Sequence, residues 1–298
     1  MVSVMSAFPL AHATPPGVTG CVNISVGACG FNLNHTVNLA ASTDLVTWTF
    51  RGNVLPIASR PQGILFSPWV AKSASTGRYV LWFNMLPVEP GIYPFNAAYY
   101  SVASSAVPEG PFVMERVNVS GIAYHQLPDA PSIFVDDDGS GYIAFTHEPT
   151  HVNNIQMLTK DLLGPMNPVQ VSTVIGPPNN EGILMFKREG LYYIMFGTCC
   201  CFCGAGTGVE VFTSHTPLGP YTSRGEIARN STTGESIWKA QTGAVWYTGV
   251  DWVLYGDRWQ SAPDDIKAHD FSYWTPLVFR NDGSVQTIVW QKEVSIRY

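Results

Sequence analysis

Four stretches share one pattern: GRYVLWFN at 77–84, GSGYIAFTHE at 139–148, EGLYYIMFGT at 189–198 and TGVDWVLYGDRW at 248–259. In each, a glycine precedes a short run of aromatic and apolar residues. Tyr79, Tyr142, Tyr192 and Trp252 are separated by 63, 50 and 60 positions. A second pattern follows three of them: SSAVPEGPF at 104–112, TKDLLGPM at 159–166 and SHTPLGPY at 214–221. Its glycines, Gly110, Gly164 and Gly219, are separated by 54 and 55 positions. ASTDLVTWTF at 41–50 has the same form, with Trp48 in the large apolar slot.

The two patterns alternate in phase, which marks one supersecondary unit repeated along the chain. Its elements are short, β-rich and bounded by turn residues, with no 3.6-residue apolar period. Stacked sheets around a central channel satisfy this, because each sheet is then covered on both faces by its neighbours. The sequence therefore predicts an all-β, five-bladed β-propeller filling residues 1–298 as a single domain. Four blades have a visible central strand. The fifth is expected from the first residues together with DGSVQTIVWQKEVSIRY at 282–298, closing the ring. Residues 1–37 read as irregular, an incomplete first blade. The competing β-sandwich has no reason to repeat at this interval.

Composition agrees. Of 298 residues 46% are hydrophobic, 12% aromatic and only 13% charged, which suits half-buried strands. The 27 glycines and 22 prolines are dispersed as turn punctuation and form no linker. The net charge is −6 and the basic residues are scattered, so there is no electrostatic footprint for nucleic acid. No apolar run approaches the roughly 20 residues of a membrane span. The opening MVSVMSAFPLAHATPPG has no basic start and is broken by prolines, so it reads poorly as a signal peptide. Asn23, Asn34, Asn118 and Asn230 nevertheless each begin an N-x-S/T sequon. A secretory-route protein, with its natural start upstream of Met1, is the expectation that reconciles the two.

Longer strings carry a resemblance. DAPSIFVDDDGSGYIAF at 129–145 resembles the second-blade signature of the glycoside hydrolases of family 43, and EGILMFKREGLYYIMFGT at 181–198 resembles that family's stretch around its general acid. STDLVTWTFRGNVL at 42–55, SHTPLGPY, AQTGAVW at 240–246 and YGDRW at 255–259 are similar to its exo-β-1,3-galactanases. The resemblance runs from about residue 38 to the C-terminus. It implies that Glu181 is the general acid, a carboxylic acid that protonates the departing oxygen. A loop glutamate with no such role is the alternative for that residue. It further implies that Gln241, in Lys-Ala-Gln-Thr-Gly, stands where a water-activating group belongs. An amide is no base but orients water through its carbonyl; strand-end hydrogen bonding is the competing role.

The sequence departs from the family pattern at three places. Ala130 occupies the slot of an aspartate that tunes the acid, and Asp129 lies one residue earlier, on the other face of a period-two strand unless a bulge at Pro131 intervenes. Phe66-Ser67-Pro68 stands where the galactanases have Glu-Arg-Pro, without that sugar-binding carboxylate. A glycine-rich first-blade strand is missing from residues 1–37. Substrate-binding candidates are Asp257, Arg258 and Trp259 at the end of the fourth repeat strand, Thr198, and Glu148. A structural ion pair is the competing reading for Asp257 and Arg258.

Asp136, Asp137 and Asp138 before Gly139 have some look of a calcium loop, but Asp-Gly also marks a hairpin turn, and the turn is favoured. No cofactor is expected. Cys199, Cys200, Cys201 and Cys203 crowd one loop too tightly to converge on zinc, and disulfides suit them better in an oxidising compartment. Cys21 and Cys29 are spaced to close a loop of their own. The expected protein is a monomeric, inverting, exo-acting hydrolase of β-1,3-galactan-type or related polysaccharides. The alternatives are a catalytically impaired propeller that binds glycans and a scaffold for other proteins.

Overall fold

The computed structural model describes residues 2–6, 33–88, 94–123, 130–147, 150–198, 203–264 and 269–298. Among them no α-helix occurs, and no helix is long and apolar enough to cross a membrane. The strands form five antiparallel sheets taken in order along the chain. The first holds β1 (Val2–Ser6), β2 (Val37–Ser42) and β3 (Thr49–Leu55). The second holds β4 (Ile64–Lys72), β5 (Tyr79–Leu86), β6 (Tyr99–Ser105) and β7 (Val113–Arg116). The third holds β8 (Ser132–Val135), β9 (Gly141–His147) and β10 (Val152–Leu158). The fourth holds β11 (Asn180–Arg188), β12 (Leu191–Thr198), β13 (Glu210–Ser214) and β14 (Thr222–Glu226). The fifth holds β15 (Gln241–Tyr247), β16 (Trp252–Asp257) and β17 (Ser272–Pro276).

The repeat seen in the sequence is the sheet. Its four Gly-aromatic strings are β5, β9, β12 and β16, the second strand of each of the last four sheets. The Gly-Pro strings fall in the turns β6–β7 and β13–β14 and directly after β10. Gly110 and Gly219 hold φ of +75° and +87° there, a conformation that excludes most side chains.

Second strands are apolar on both faces because their side chains alternate between two neighbouring sheets. On β5, Leu81, Phe83 and Met85 join Val37, Leu39 and Val54 of the first sheet, while Val80 and Trp82 join Ile143 and Phe145 of the third. On β9, Tyr142 and Ala144 turn the other way, to Ile194 and Phe196 of β12. Tyr193 and Met195 of β12 face Leu254 of β16. Four cores thus lie between five successive sheets. The inner strands follow the same sequence of neighbours, β1 to β4, β4 to β8, β8 to β11 and β11 to β15. Trp48, in the β2–β3 turn, packs edge-on against Trp274 of β17 at 5.7 Å, and Trp274 against Trp246 of β15 at 4.8 Å.

Arg60 fixes the chain between the first two sheets. Its guanidinium is buried and donates to the carbonyls of Leu33, His35, Pro61 and Gly63 at 2.6–3.1 Å. The fork of donors reaches four backbone acceptors at once.

Two expectations are corrected. Residues 1–37 were read as irregular, an incomplete first blade whose first residues help to complete a sheet; within them Val2–Ser6 forms a regular strand, β1, that pairs in register with β2 from Val2↔Ser42 to Ser6↔Asn38. The C-terminal string, read as a strand completing the first blade, contains no strand and instead lies against the fifth sheet. Trp290 stacks on Tyr273 at 4.5 Å, the Ile288 N–H donates to Ile227, and Arg297 pairs with Asp251 at 2.6 Å. Val285 and Ile288 are buried, but they are three residues apart with Gln286 and Thr287 exposed between them, and 289–293 are all exposed, so the period-two alternation of a half-buried strand is absent.

Candidate active site

Three inner strands bulge near their starts: β4 between Phe66 and Trp69, β11 between Glu181 and Leu184, and β15 between Thr242 and Ala244. Bulges re-aim side chains and recur beside active sites. Glu181 is the second residue of β11 and is only 5% exposed. Gly182, at φ +65°, lies against β15, and a Cβ there would stand 2.6 Å from the Thr242 carbonyl oxygen. Glycine is therefore required for β11 and β15 to come this close. The approach brings the first residue of β15 onto Glu181: the Gln241 Nε2–H donates to Glu181 Oε2 at 3.0 Å. Gln241 Oε1 is buried and has no hydrogen-bond partner among the described residues, so it is an acceptor offered to whatever enters beside Glu181.

The other oxygen of Glu181 belongs to a residue that the sequence reading missed. His151 Nδ1 lies 3.0 Å from Glu181 Oε1. His151 sits in the β9–β10 hairpin with φ +48°, an uncommon conformation for a residue with a side chain. Its N–H donates to the His147 carbonyl at 2.9 Å, and its own carbonyl accepts from Asn180 N–H at 3.0 Å. The hairpin is thus tied to the residue just before Glu181. Glu148 was singled out in this same hairpin. The end-to-end phase of the blades, which puts that turn level with the start of β11, would have drawn attention to His151 three positions on.

The remaining candidates divide. Asp257, the last residue of β16, is the register partner of Gln241 and so lies at the same end. It accepts a hydrogen bond from the Tyr255 hydroxyl, and burial together with its charge pushes that phenol well above the usual range. Thr198 is exposed at the end of β12, paired with Asn180 and one step from the Glu181↔Gly197 pair. The Arg258 guanidinium lies over Trp290 at 4.9 Å, toward the C-terminal segment, which separates it in direction from Asp257. Trp259 is half-buried next to it. Asp129 and Glu148 lie outside the described residues; Ala130 is half-buried just before β8.

The Asp136–Asp138 run forms the β8–β9 turn: the Asp136 N–H donates to Ser140 and the Gly139 N–H to Asp136. Lys187 Nζ lies 2.6 Å from Asp136 and 2.9 Å from Asp137. Burial opposes the charge on Asp136, but the hydrogen bonds from Lys187 and Tyr192 outweigh it and hold the carboxyl below the usual range. Those two carboxylates are committed to a cation the chain itself supplies, at the opposite end of β11 from Glu181.

A buried carboxyl group beside an amide with a spare acceptor is equipment for acid-assisted hydrolysis. The family model of the glycosyl hydrolases family 43 matches residues 28–283, so the chain belongs to that family and is a glycosidase. It is 27% identical over 263 residues to a β-D-galactofuranosidase of Aspergillus niger, covering 82% of this chain and 72% of that one. A family 43 β-1,3-galactosidase solved with galactodeoxynojirimycin superposes with a TM-score of 0.75 at 19% identity, over 90% of this chain and 88% of the other. An exo-β-1,3-galactanase from Clostridium thermocellum gives a TM-score of 0.71 at 25% identity, over 84% and 55%. The chain spans about half the length of two arabinoxylan arabinofuranohydrolases, 44% of that from Paenibacillus polymyxa and 55% of that from Bacillus subtilis.

Proposed function

We propose that the protein is an exo-acting, inverting glycosidase that removes terminal galactose from β-1,3-galactan chains. The observation that carries this is the contact between Glu181 and Gln241 across adjoining inner strands, 3.0 Å from Nε2 to Oε2. In this reading Glu181 protonates the glycosidic oxygen as the bond to C1 breaks. Gln241 holds water by its Oε1 for attack on the opposite face of C1. Inversion follows because water attacks directly and the sugar never bonds to the protein. Asp257 and Thr198 flank the pair as sugar contacts, with Trp259, Arg258 and Glu148 further candidates and Asp129 the candidate that tunes the acid.

The fold in this reading is a closed five-bladed propeller, and the Trp48–Trp274 contact between first and fifth sheets supports closure. A secretory route is supported by the four sequons and by the crowding of Cys199, Cys200, Cys201 and Cys203, which suits disulfides in an oxidising compartment. A second reading, a propeller that binds glycans without cleaving them, is favoured by Ala130 in the aspartate slot and by Phe66 in the glutamate slot.

A substrate panel separates these readings. The expected result is release of free galactose, with no larger early product, from β-1,3-galactan, and slower cleavage of aryl α-arabinofuranosides and β-xylosides. Early release of oligosaccharides would defeat exo action. Preference for arabinofuranosides would move the protein toward its arabinoxylan relatives. Galactan binding without any product would favour the impaired propeller.

A further inference from the structure

We propose that the cleft at the far end of the fourth and fifth sheets is a second glycan-binding site, which holds a neutral galactan chain while a chain end is cleaved at Glu181. The choice of galactan rests on the function proposed above.

The cleft measures about 630 Å³ and lies between the ends of β11, β15 and β17 and the C-terminal segment, with Arg188, Tyr247, Trp252, Phe279 and Arg297 in its walls. Sites for small ligands span about 300–1,000 Å³. The strand register fixes its position. Gln241 pairs with Asp257 at the end of the fifth sheet that meets Glu181, and Tyr247 pairs with Trp252 at the other end. The six steps of β15 from Gln241 to Tyr247 cover roughly 20 Å at about 3.3 Å per residue. The cleft is therefore separate from the surroundings of Glu181, and both can be filled at once.

One wall is a ladder of rings. Phe186, Trp252 and Tyr247 succeed one another at 5.0 Å between centroids, from the core to the surface. Tyr247, the outermost, is 53% exposed, and its hydroxyl donates to the Gly249 carbonyl at 2.6 Å. Support from Trp252 on one side and from Gly249 at the tip fixes the ring before a ligand arrives, so binding against it costs little side-chain entropy. An aromatic ring with a polar tip, left partly in water, fits a pyranose, whose C–H face covers the ring while its hydroxyls stay hydrogen-bonded.

The charges decide the class of ligand. Lys187 pairs with Asp136 and Asp137 at 2.6 and 2.9 Å, Arg188 with Glu189 at 2.6 Å, and Arg297 with Asp251 at 2.6 Å. Each of the three cations in the cleft thus faces a carboxylate, and an anionic ligand would meet no uncompensated positive charge. Paired charges beside exposed rings offer donors and acceptors without net charge, which matches a neutral polyhydroxylated chain. Holding a remote part of a polymer here raises the concentration of its chain ends near Glu181, a gain that a disaccharide does not have.

The test uses the full chain with Tyr247→Ala. The KM for β-1,3-galactan is expected to rise about fivefold or more with kcat unchanged, and kcat/KM for β-1,3-galactobiose is expected to stay as in the parent. Retained galactobiose hydrolysis shows that the variant is folded. Tyr247→Trp, which keeps a flat ring, is expected to restore the KM for the polymer. An unchanged KM for galactan in Tyr247→Ala, or equal losses on both substrates, would overturn the proposal. Binding is read without turnover by calorimetric titration of Glu181→Gln with β-1,3-galactotriose, which is too short to bridge the two places. A second binding event is expected there and is expected to vanish when Tyr247→Ala is added. Its persistence in that double variant, or its absence from Glu181→Gln, would also overturn the proposal. Tighter binding of oligogalacturonate than of galactotriose at the second event would overturn the assignment to a neutral ligand. A parent that cleaves no galactan but shows both binding events would remove the cleavage reading of Glu181 and support the cleft; a parent that binds no galactotriose would remove both.

Discussion

Glu181→Gln is expected to lower kcat on β-1,3-linked galactosides by about 10²–10⁴-fold, the usual contribution of a positioned general acid. The amide keeps the shape of the side chain and removes the transferable proton. The loss is expected to be far smaller on aryl galactosides, whose leaving groups depart without protonation. Gln241→Ala is expected to behave differently: both substrate classes slow alike, because water must be held in either case. The contrast separates the two residues although they touch at 3.0 Å. Equal losses on both substrate classes for Glu181→Gln would assign Glu181 to binding. Because the pair is in contact, the double variant is also expected to lose less than the product of the two single effects.

Trp238→Ala is expected to cost about 3–5 kcal/mol of stability, the range for deleting a large aromatic side chain from a core. Trp238 is fully buried in the core between the fourth and fifth sheets, together with Leu184, Leu254 and Ala240. Its ring fills the space left by Gly256, where a Cβ would come within 2.6 Å of it, and its indole N–H donates to the Thr207 carbonyl at 3.0 Å. The residue stands three positions before Gln241, so it also anchors the start of β15. Against a typical total of about 5–15 kcal/mol, the loss is large. Urea unfolding followed by tryptophan fluorescence and circular dichroism measures it. A change below about 1 kcal/mol would mean that the core relaxes around the gap, outside the usual range for such sites.

The sheet framework was legible because one physical demand recurs. A strand buried between two sheets must be apolar on both faces, and its turns must accept glycine; GRYVLWFN, GSGYIAFTHE, EGLYYIMFGT and TGVDWVLYGDRW all record this. Val2–Ser6 carries no such string, since the first sheet has no glycine-aromatic strand among the described residues, and it was read as irregular. The C-terminal VQTIVW looked like a strand because apolar residues recur in it. Whether such a run pairs or lies as a strap depends on a free sheet edge, which local sequence does not encode. At the site, Glu181 and Gln241 were singled out through family resemblance, and the structure places them in contact beside Gly182. Asp257 and Arg258 are adjacent in sequence and were read together, but β16 ends at Asp257 and Arg258 turns away over Trp290. His151 was illegible because its meeting with Glu181 joins a hairpin tip of one sheet to the first turn of the next strand, a distance fixed only when the sheets are stacked.

The reading of Glu181 as acid and Gln241 as water holder requires that water attack C1 directly. The anomeric form of the first product reports this without any variant. Proton NMR of β-1,3-galactobiose during the first minutes of hydrolysis should show α-galactose from the non-reducing end appearing before mutarotation produces the β form. Initial appearance of β-galactose would mean retention of configuration through a covalent intermediate, and would contradict the account.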